Sequence, residues 1–147
     1  MGLKAFLPIA VVVFVAATTG ADVVALTSIG GEPFSVALRE HLYWAGAQFV
    51  GTLLLLAPFV AAAIMCALAE KKVRTRSALL VFAVSMLTLL YFYFQGYQAA
   101  ERAALKQMWT GATLSIALLP FLIGVPVVLA TWAAGEVAAK FDPRVPK

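Results

Sequence analysis

Cysteine, histidine and charged residues are scarce in this sequence, and each shortage excludes a class of protein. Cys66 is the only cysteine, so the chain cannot form an internal disulfide, a CxxC redox pair or a thiolate metal cluster. His41 is the only histidine, which excludes a haem held by two histidines of one chain. Only 12% of the 147 residues are charged, about half the share of a soluble domain. The composition therefore points toward a membrane protein.

The familiar chemical motifs are missing as well. The sequence has no P-loop, no GxGxxG and no HExxH, and no helix carries histidines or carboxylates at metal-ligand spacing. Its basic residues give a net charge of +4 but form no long stripe of the kind that binds nucleic acid. We therefore expect no metal, no cofactor and no nucleic acid partner. No residue is assigned as catalytic, and the pattern leans against an enzyme.

A short charged segment, residues 70–76, organises the chain. It separates two stretches, residues 42–69 and 77–100, that contain no Asp, Glu, Lys or Arg. Each stretch is long enough to cross a bilayer, which takes about 20 apolar residues. The segment itself holds four basic residues, and Lys and Arg are retained on the cytoplasmic side during insertion. The loop therefore predicts the orientation of the whole protein.

The N-terminal region allows two interpretations. Lys4, an apolar run and the small residues 18–21 resemble a cleavable signal peptide. Apolar residues resume after Asp22, however, which favours a first membrane helix over about residues 3–28. Residues 30–33, Gly-Gly-Glu-Pro, then predict a break and a new start. After Pro33, apolar residues recur at helical spacing and predict a short amphipathic helix on the outer surface.

The predicted fold is an all-α, four-helix transmembrane bundle in a single domain. Pro58, Pro120 and Pro126 should kink the second and fourth spans. The third and fourth spans should meet outside as a short helical hairpin. The predicted segments are a first span at about 3–28, an interfacial helix at about 33–42, a second span at about 43–68, a basic loop at 70–76, a third span at about 77–98, a fourth span at about 108–135 and a tail at 136–147.

The distribution of Lys and Arg supports one orientation. Eight of these residues fall on the side of the termini and the basic loop, and three on the other side. This asymmetry predicts that both termini are cytoplasmic and that the protein is a multi-pass protein of the plasma membrane, the inner membrane in a bacterium. The eight are Lys4, Lys71, Lys72, Arg74, Arg76, Lys140, Arg144 and Lys147; the three are Arg39, Arg102 and Lys106.

Polar residues within the spans are the candidates for a binding site, because they are costly in a membrane and need partners. Most of them fall in the outer half of the predicted bundle. One hypothesis is a polar cleft that opens outward and holds a lipid headgroup, a quinone, a cation or a partner helix. The simpler interpretation, which the sequence favours, is that these groups only bond between helices. The candidate ligand-binding residues are Asp22, His41, Gln48, Tyr91, Gln95 and Arg102, with Glu40 beside them.

Small residues on the second and fourth spans predict a surface on which another helix packs closely. They suggest contact with another membrane protein or with copies of this chain. The second span contributes Ala57, Ala61, Ala62 and Ala63, and the fourth contributes Thr113, Ala117, Pro120, Gly124 and Thr131.

Three functions remain open. The leading hypothesis is a non-catalytic subunit of a larger or homo-oligomeric membrane assembly, with lipid bound in the outer cleft. An alternative is a small oligomeric transporter or channel, since Asp22 and the proline-broken fourth span are features of ion and solute pathways. A second alternative is a membrane enzyme that acts on a lipid or quinone at the outer leaflet through His41.

Overall fold

The computed structural model describes residues 2–143, and these residues form five helices joined by short loops. Arg144 and Lys147, which entered the charge count above, lie outside the described residues. Two of the helices contain a wider, π-helical turn, at Ala16–Gly20 and at Pro120–Gly124. The helices are α1 (Leu3–Ser28), α2 (Phe34–Ala47), α3 (Phe49–Ala69), α4 (Thr75–Leu105) and α5 (Trp109–Phe141).

Four of these helices, α1, α3, α4 and α5, are long and apolar enough to cross a membrane. The prediction of an all-α protein with four candidate membrane-spanning helices is confirmed to this extent. At 31 residues, α4 is about 46 Å long, which exceeds the roughly 30 Å of a bilayer's hydrocarbon core. The helix α4 is therefore longer than an untilted membrane span requires.

The break between α2 and α3 lies later than the sequence pattern placed it. α2 continues to Ala47, and Gln48 leaves the helical conformation with φ −109° and ψ 46°. The Thr52 hydroxyl donates a hydrogen bond to the Ala45 carbonyl at 2.9 Å, which satisfies an acceptor at the end of α2. Tyr43 and Trp44 consequently belong to α2 and not to the membrane span that follows.

The centre of the bundle is formed by α3 and α4, with α1 packed against both on one side and α5 against both on the other. Aromatic rings fill this core. Phe6 of α1 meets Phe82 of α4 at 4.8 Å between ring centroids, and Phe59 of α3 meets Tyr93 of α4 at 5.1 Å. The Tyr93 hydroxyl donates to the Leu55 carbonyl at 3.1 Å, three residues before Pro58. This bond gives the buried Tyr93 hydroxyl an acceptor.

The small residues of α3 and α5 pack against each other inside the chain. Gly124 lies so close to Pro58 that an added Cβ would be 2.3 Å from the proline Cγ. At Gly135 an added Cβ would be 3.0 Å from the Cβ of Ala69. Ala62 and Ala63 are fully buried. Gly124 and Gly135 thus belong to the packing of α5 on α3, whereas Ala57, Thr113 and Ala117 are exposed. Contact of these small-residue faces with another membrane protein or with a second copy of the chain stays a prediction.

Both described ends of the chain meet the basic loop at one end of the bundle. The Gly2 amide donates to a Glu70 carboxylate oxygen at 2.5 Å, and the Thr75 hydroxyl donates to the other at 3.2 Å. Burial alone would raise the pKa of the Glu70 carboxyl, but the hydrogen bonds outweigh it, and the pKa lies below its usual value. Glu70 therefore ties the start of α1 to the loop.

The C-terminal part of α5 reaches the same loop. Asp142 accepts a hydrogen bond from Ser77 at 2.5 Å and forms an ion pair with Arg74 at 3.1 Å. Lys72 pairs with Glu136 at 2.6 Å, although both side chains are largely exposed, which makes the pair worth little alone. The loop and the two described ends of the chain thus share one end of the bundle.

The contact between Gly124 and Pro58 gives a testable prediction. We expect Gly124→Ala to destabilise the protein by about 1–3 kcal/mol, because the new methyl group overlaps the proline ring. Gly111→Ala on the same helix is the matched control, since its nearest neighbour outside the local backbone would be 3.8 Å away. Thermal unfolding in a mild detergent measures both. Equal melting temperatures for the two variants would contradict the packing described here.

Candidate functional site

A cleft of about 450 Å³ lies at the end of the bundle opposite the basic loop and the described ends of the chain. All five helices contribute to its wall. From Asp22 its lining runs along α1 to Phe14, eight residues or about 12 Å deeper. The Phe14 ring packs on Phe59 at 5.5 Å between centroids, and Phe59 packs on Tyr93, so aromatic side chains form a closed floor.

A chain of three polar groups joins α1 to α2 beside this cleft. His41 Nδ1 lies 2.7 Å from Oδ2 of Asp22, and His41 Nε2 lies 2.9 Å from the Thr19 hydroxyl. A carboxylate only accepts hydrogen bonds, so Nδ1 carries a proton and donates it to Asp22. His41 is only 8% exposed, and both of its ring nitrogens are satisfied. The interaction fixes α2 against the last turns of α1.

Local structure explains why these groups meet. Gly31 adopts φ +77°, a conformation that glycine tolerates, and the loop it belongs to turns the chain from α1 into α2. Ala37 and His41, one turn apart, are the buried residues of α2, so this face packs on α1. Thr19 belongs to the π-helical turn of α1, and Asp22 lies two residues beyond the end of that turn. π-Helical turns occur frequently at functional sites.

The order hydroxyl, imidazole, carboxylate is also that of a nucleophilic catalytic triad. Here, however, the residues that line the cleft include Thr18, Asp22 and His41 but not Thr19. A molecule in the cleft would therefore meet the carboxylate and the edge of the imidazole, with the Thr19 hydroxyl behind the ring. This geometry suits holding a polar group better than attacking an ester.

Carboxylates dominate the charge of the cleft. Asp22, Glu40 and Glu101 line it, and none of its described lining residues is Lys or Arg. Glu101 points back toward the end of α1, where a Cβ on Gly30 would lie 2.8 Å from its Oε1. The carboxylates of Asp22, Glu32 and Glu40 are all close enough to act electrostatically on Glu101. The mouth of the cleft is accordingly a region of negative potential.

The rest of the lining is aromatic and aliphatic. Trp44 and Trp109 line the cleft and are 51% and 67% exposed, whereas Tyr97 is buried at 6%. Leu54, Leu55 and Ile116 add apolar surface. Such a combination of an apolar wall and a few convergent polar groups is typical of small-molecule sites.

Three of the six predicted site residues line this cleft, and three do not. Asp22, His41 and Gln48 line it, and their role in ligand binding stays a prediction. Tyr91, Gln95 and Arg102 lie on the exposed face of α4 and are absent from the cleft wall. The inward face of α4 instead carries Leu89, Tyr93 and Tyr97. At about 100° per residue, Tyr91 and Tyr93 differ by about 200°, which places them on opposite sides of the helix.

Sequence reasoning missed Tyr97, Glu101 and Trp109 as cleft residues. Tyr93, Tyr97 and Glu101 recur every four residues, so they share one helix face, and the spacing alone could have identified it. Trp109 falls at the start of the predicted fourth span. Its place in the cleft follows from the turn before it, where Gln107 adopts φ 60° and directs α5 back along α4.

The described residues contain no group of three His, Cys, Asp or Glu side chains placed to hold a metal ion. Cys66 is fully buried in the core, far along α3 from the cleft. No family model, curated protein or solved structure matches this chain. The cleft, with its carboxylates and its Asp22–His41 pair, is the candidate functional site.

The Asp22–His41–Thr19 interaction predicts how α2 is held. We expect His41→Ala to speed amide hydrogen exchange in α2 about tenfold to a hundredfold, because a hydrogen bond to a charged group and a second bond are lost. Hydrogen exchange followed by mass spectrometry measures it. Tyr43→Ala on the same helix is the control, since Tyr43 is 67% exposed. Unchanged exchange in His41→Ala would show that α2 is held by other contacts.

Proposed function

We propose that this protein is a non-catalytic component of the plasma membrane, the inner membrane in a bacterium, that binds one amphiphilic molecule in its outer cleft. The observation that carries the proposal is the cleft itself. It combines an apolar wall, including Leu54, Leu55 and Ile116, with carboxylates and a fixed imidazole at one end. An amphiphile matches this distribution, because its chain would lie along the apolar wall and its headgroup at the polar end.

The orientation is also a proposal, with both termini cytoplasmic and the cleft facing outward. It is supported by the shared position of the described ends of the chain and the basic loop at one end of the bundle. Since Lys71, Lys72, Arg74 and Arg76 lie in or beside that loop, the positive-inside rule assigns that end to the cytoplasm. The short helix α2 would then lie at the outer interface.

The closed floor supports binding over conduction. Below the cleft, Phe14, Phe59 and Tyr93 pack edge to face through the middle of the bundle. A solute that entered the cleft would meet these rings and would need them to separate before it could cross. We therefore rank a binding role above the transporter or channel alternative.

Assembly with another membrane protein or with copies of the chain remains part of the proposal, through the exposed side of α5. The most apolar 18-residue stretch of α5 is only 17% buried, compared with 33–39% in the other three spans. Phe121, Leu122 and Leu129 are exposed on it. This contrast supports the face of α5 that points away from the other helices as the surface for a partner helix.

Filling the cleft tests the binding proposal. We expect the gently solubilised protein to retain about one amphiphile per chain, in keeping with a single site of this size, and Ala104→Phe to lose it because the ring occupies the cleft. Ala99→Phe is the matched control, since Ala99 is exposed on the same helix and does not line the cleft. Native mass spectrometry counts the bound molecules and also detects a protein partner.

The proposal fails if Ala104→Phe retains as much amphiphile as the unchanged protein and Ala99→Phe. It also fails if the unchanged protein carries none when prepared in the mildest detergent that keeps it folded.

A further inference from the structure

The cleft contains carboxylates that form no ion pair with a lysine or arginine of the described residues. Asp22 has His41 as its partner, but Glu40 and Glu101 have no ion pair within the described residues. The Oε2 atom of Glu32, close enough to act on Glu101, is buried and has no hydrogen-bond partner in the same part of the chain. Like charges held together in a partly dry cleft repel one another, and a bound cation relieves that repulsion.

Hydrogen-bonding capacity points the same way. Each carboxylate accepts hydrogen bonds and donates none, so the charged wall of the cleft offers acceptors in excess. A ligand that donates, such as an ammonium group, satisfies them. A quinone offers only acceptors, and the negative charge repels a phosphate or sulfonate that lacks an accompanying cation.

The aromatic residues of the cleft favour the same class of ligand. Trp44 and Trp109 line it, together with Tyr97. The faces of tryptophan and tyrosine rings attract cations, and proteins that bind quaternary ammonium groups use such rings. Leu54, Leu55 and Ile116 add apolar surface to the same cavity. A cationic group would therefore contact the rings and carboxylates while an attached alkyl chain lies against these apolar side chains.

We propose that the cleft selects a cationic amphiphile, with an ammonium group near Asp22, Glu40 and Glu101 and an alkyl chain along the apolar wall; this inference rests on the proposed binding function. Two sources supply this chemistry. One is a membrane lipid with an amine headgroup, and the other is a free alkylammonium compound that partitions into the outer leaflet.

The experiment compares lipids that differ only in the headgroup. Purified protein in a neutral detergent is given equal amounts of phosphatidylethanolamine and phosphatidylglycerol with identical acyl chains, and native mass spectrometry reads the bound lipid. We expect roughly tenfold enrichment of phosphatidylethanolamine, as expected for two partly exposed ion pairs. The double variant Glu40→Gln, Glu101→Gln should lose this preference while keeping side-chain size. Glu136→Gln, at the opposite end of the bundle, should keep it.

A second arm separates the two sources. Dodecylammonium is titrated into the same samples. If phosphatidylethanolamine is not enriched but dodecylammonium binds and the double variant loses that binding, the ligand is a free cationic amphiphile. If phosphatidylethanolamine is enriched in a manner that depends on the two glutamates, the ligand is a lipid headgroup. Either result supports the inference.

Two other results overturn it, and they differ from each other. In the first, phosphatidylglycerol binds as well as phosphatidylethanolamine, dodecylammonium binding does not depend on the two glutamates, and Ala104→Phe abolishes the binding of all three molecules. The inference is then wrong, while the binding function stands. If Ala104→Phe removes none of them, the proposed function itself fails, and the inference fails with it.

Discussion

The hydrogen bond from His41 to Asp22 is the interaction on which the rest of the site depends. It holds α2 against the last turns of α1, and α2 supplies Glu40 and Trp44 to the wall of the cleft. The hydrogen bond adds to the apolar packing of Ala37, which is buried one turn away on the same face of α2. Because His41 is buried, a histidine and a carboxylate that hydrogen-bond each other also cost far less than either group left alone. The same pair therefore shapes the cleft and lowers the free-energy cost of placing two polar side chains there.

The two ends of the bundle carry different arrangements of charged side chains. At the end with the basic loop, acids and bases form ion pairs, as in the contacts of Asp142 with Arg74 and of Glu136 with Lys72, and basic residues remain in excess. At the cleft end, carboxylates gather and no lysine or arginine lines the cavity among the described residues. The cleft therefore has an excess of carboxylates that a cationic ligand would complement.

The sequence was sufficient for the number of apolar helices, because the charge-free stretches on either side of residues 70–76 are unambiguous. It misplaced the boundary between α2 and α3, because the bond from Thr52 to Ala45 is a contact that periodicity does not encode. Its candidate residues on α4 lie outside the wall of this cleft. Tyr91 and Gln95 form a polar stripe as regular as the inward one, and only the packing of α1 and α5 decides which stripe is buried. Small residues of α3 and α5 were predicted to form packing surfaces. A single sequence does not reveal that Gly124 lies against Pro58 and Gly135 against Ala69.

The most direct test of the account is to ask, in the native membrane, what touches the wall of the cleft. A photoreactive diazirine amino acid replaces Ile116, which lines the cleft, or Leu118, which lies on the same helix outside it. After irradiation, mass spectrometry identifies what is attached at each position. The account predicts one defined amphiphile at position 116 and a mixture of bulk lipids at position 118. The same lipid mixture at both positions, or a segment of another protein at position 116, would contradict it.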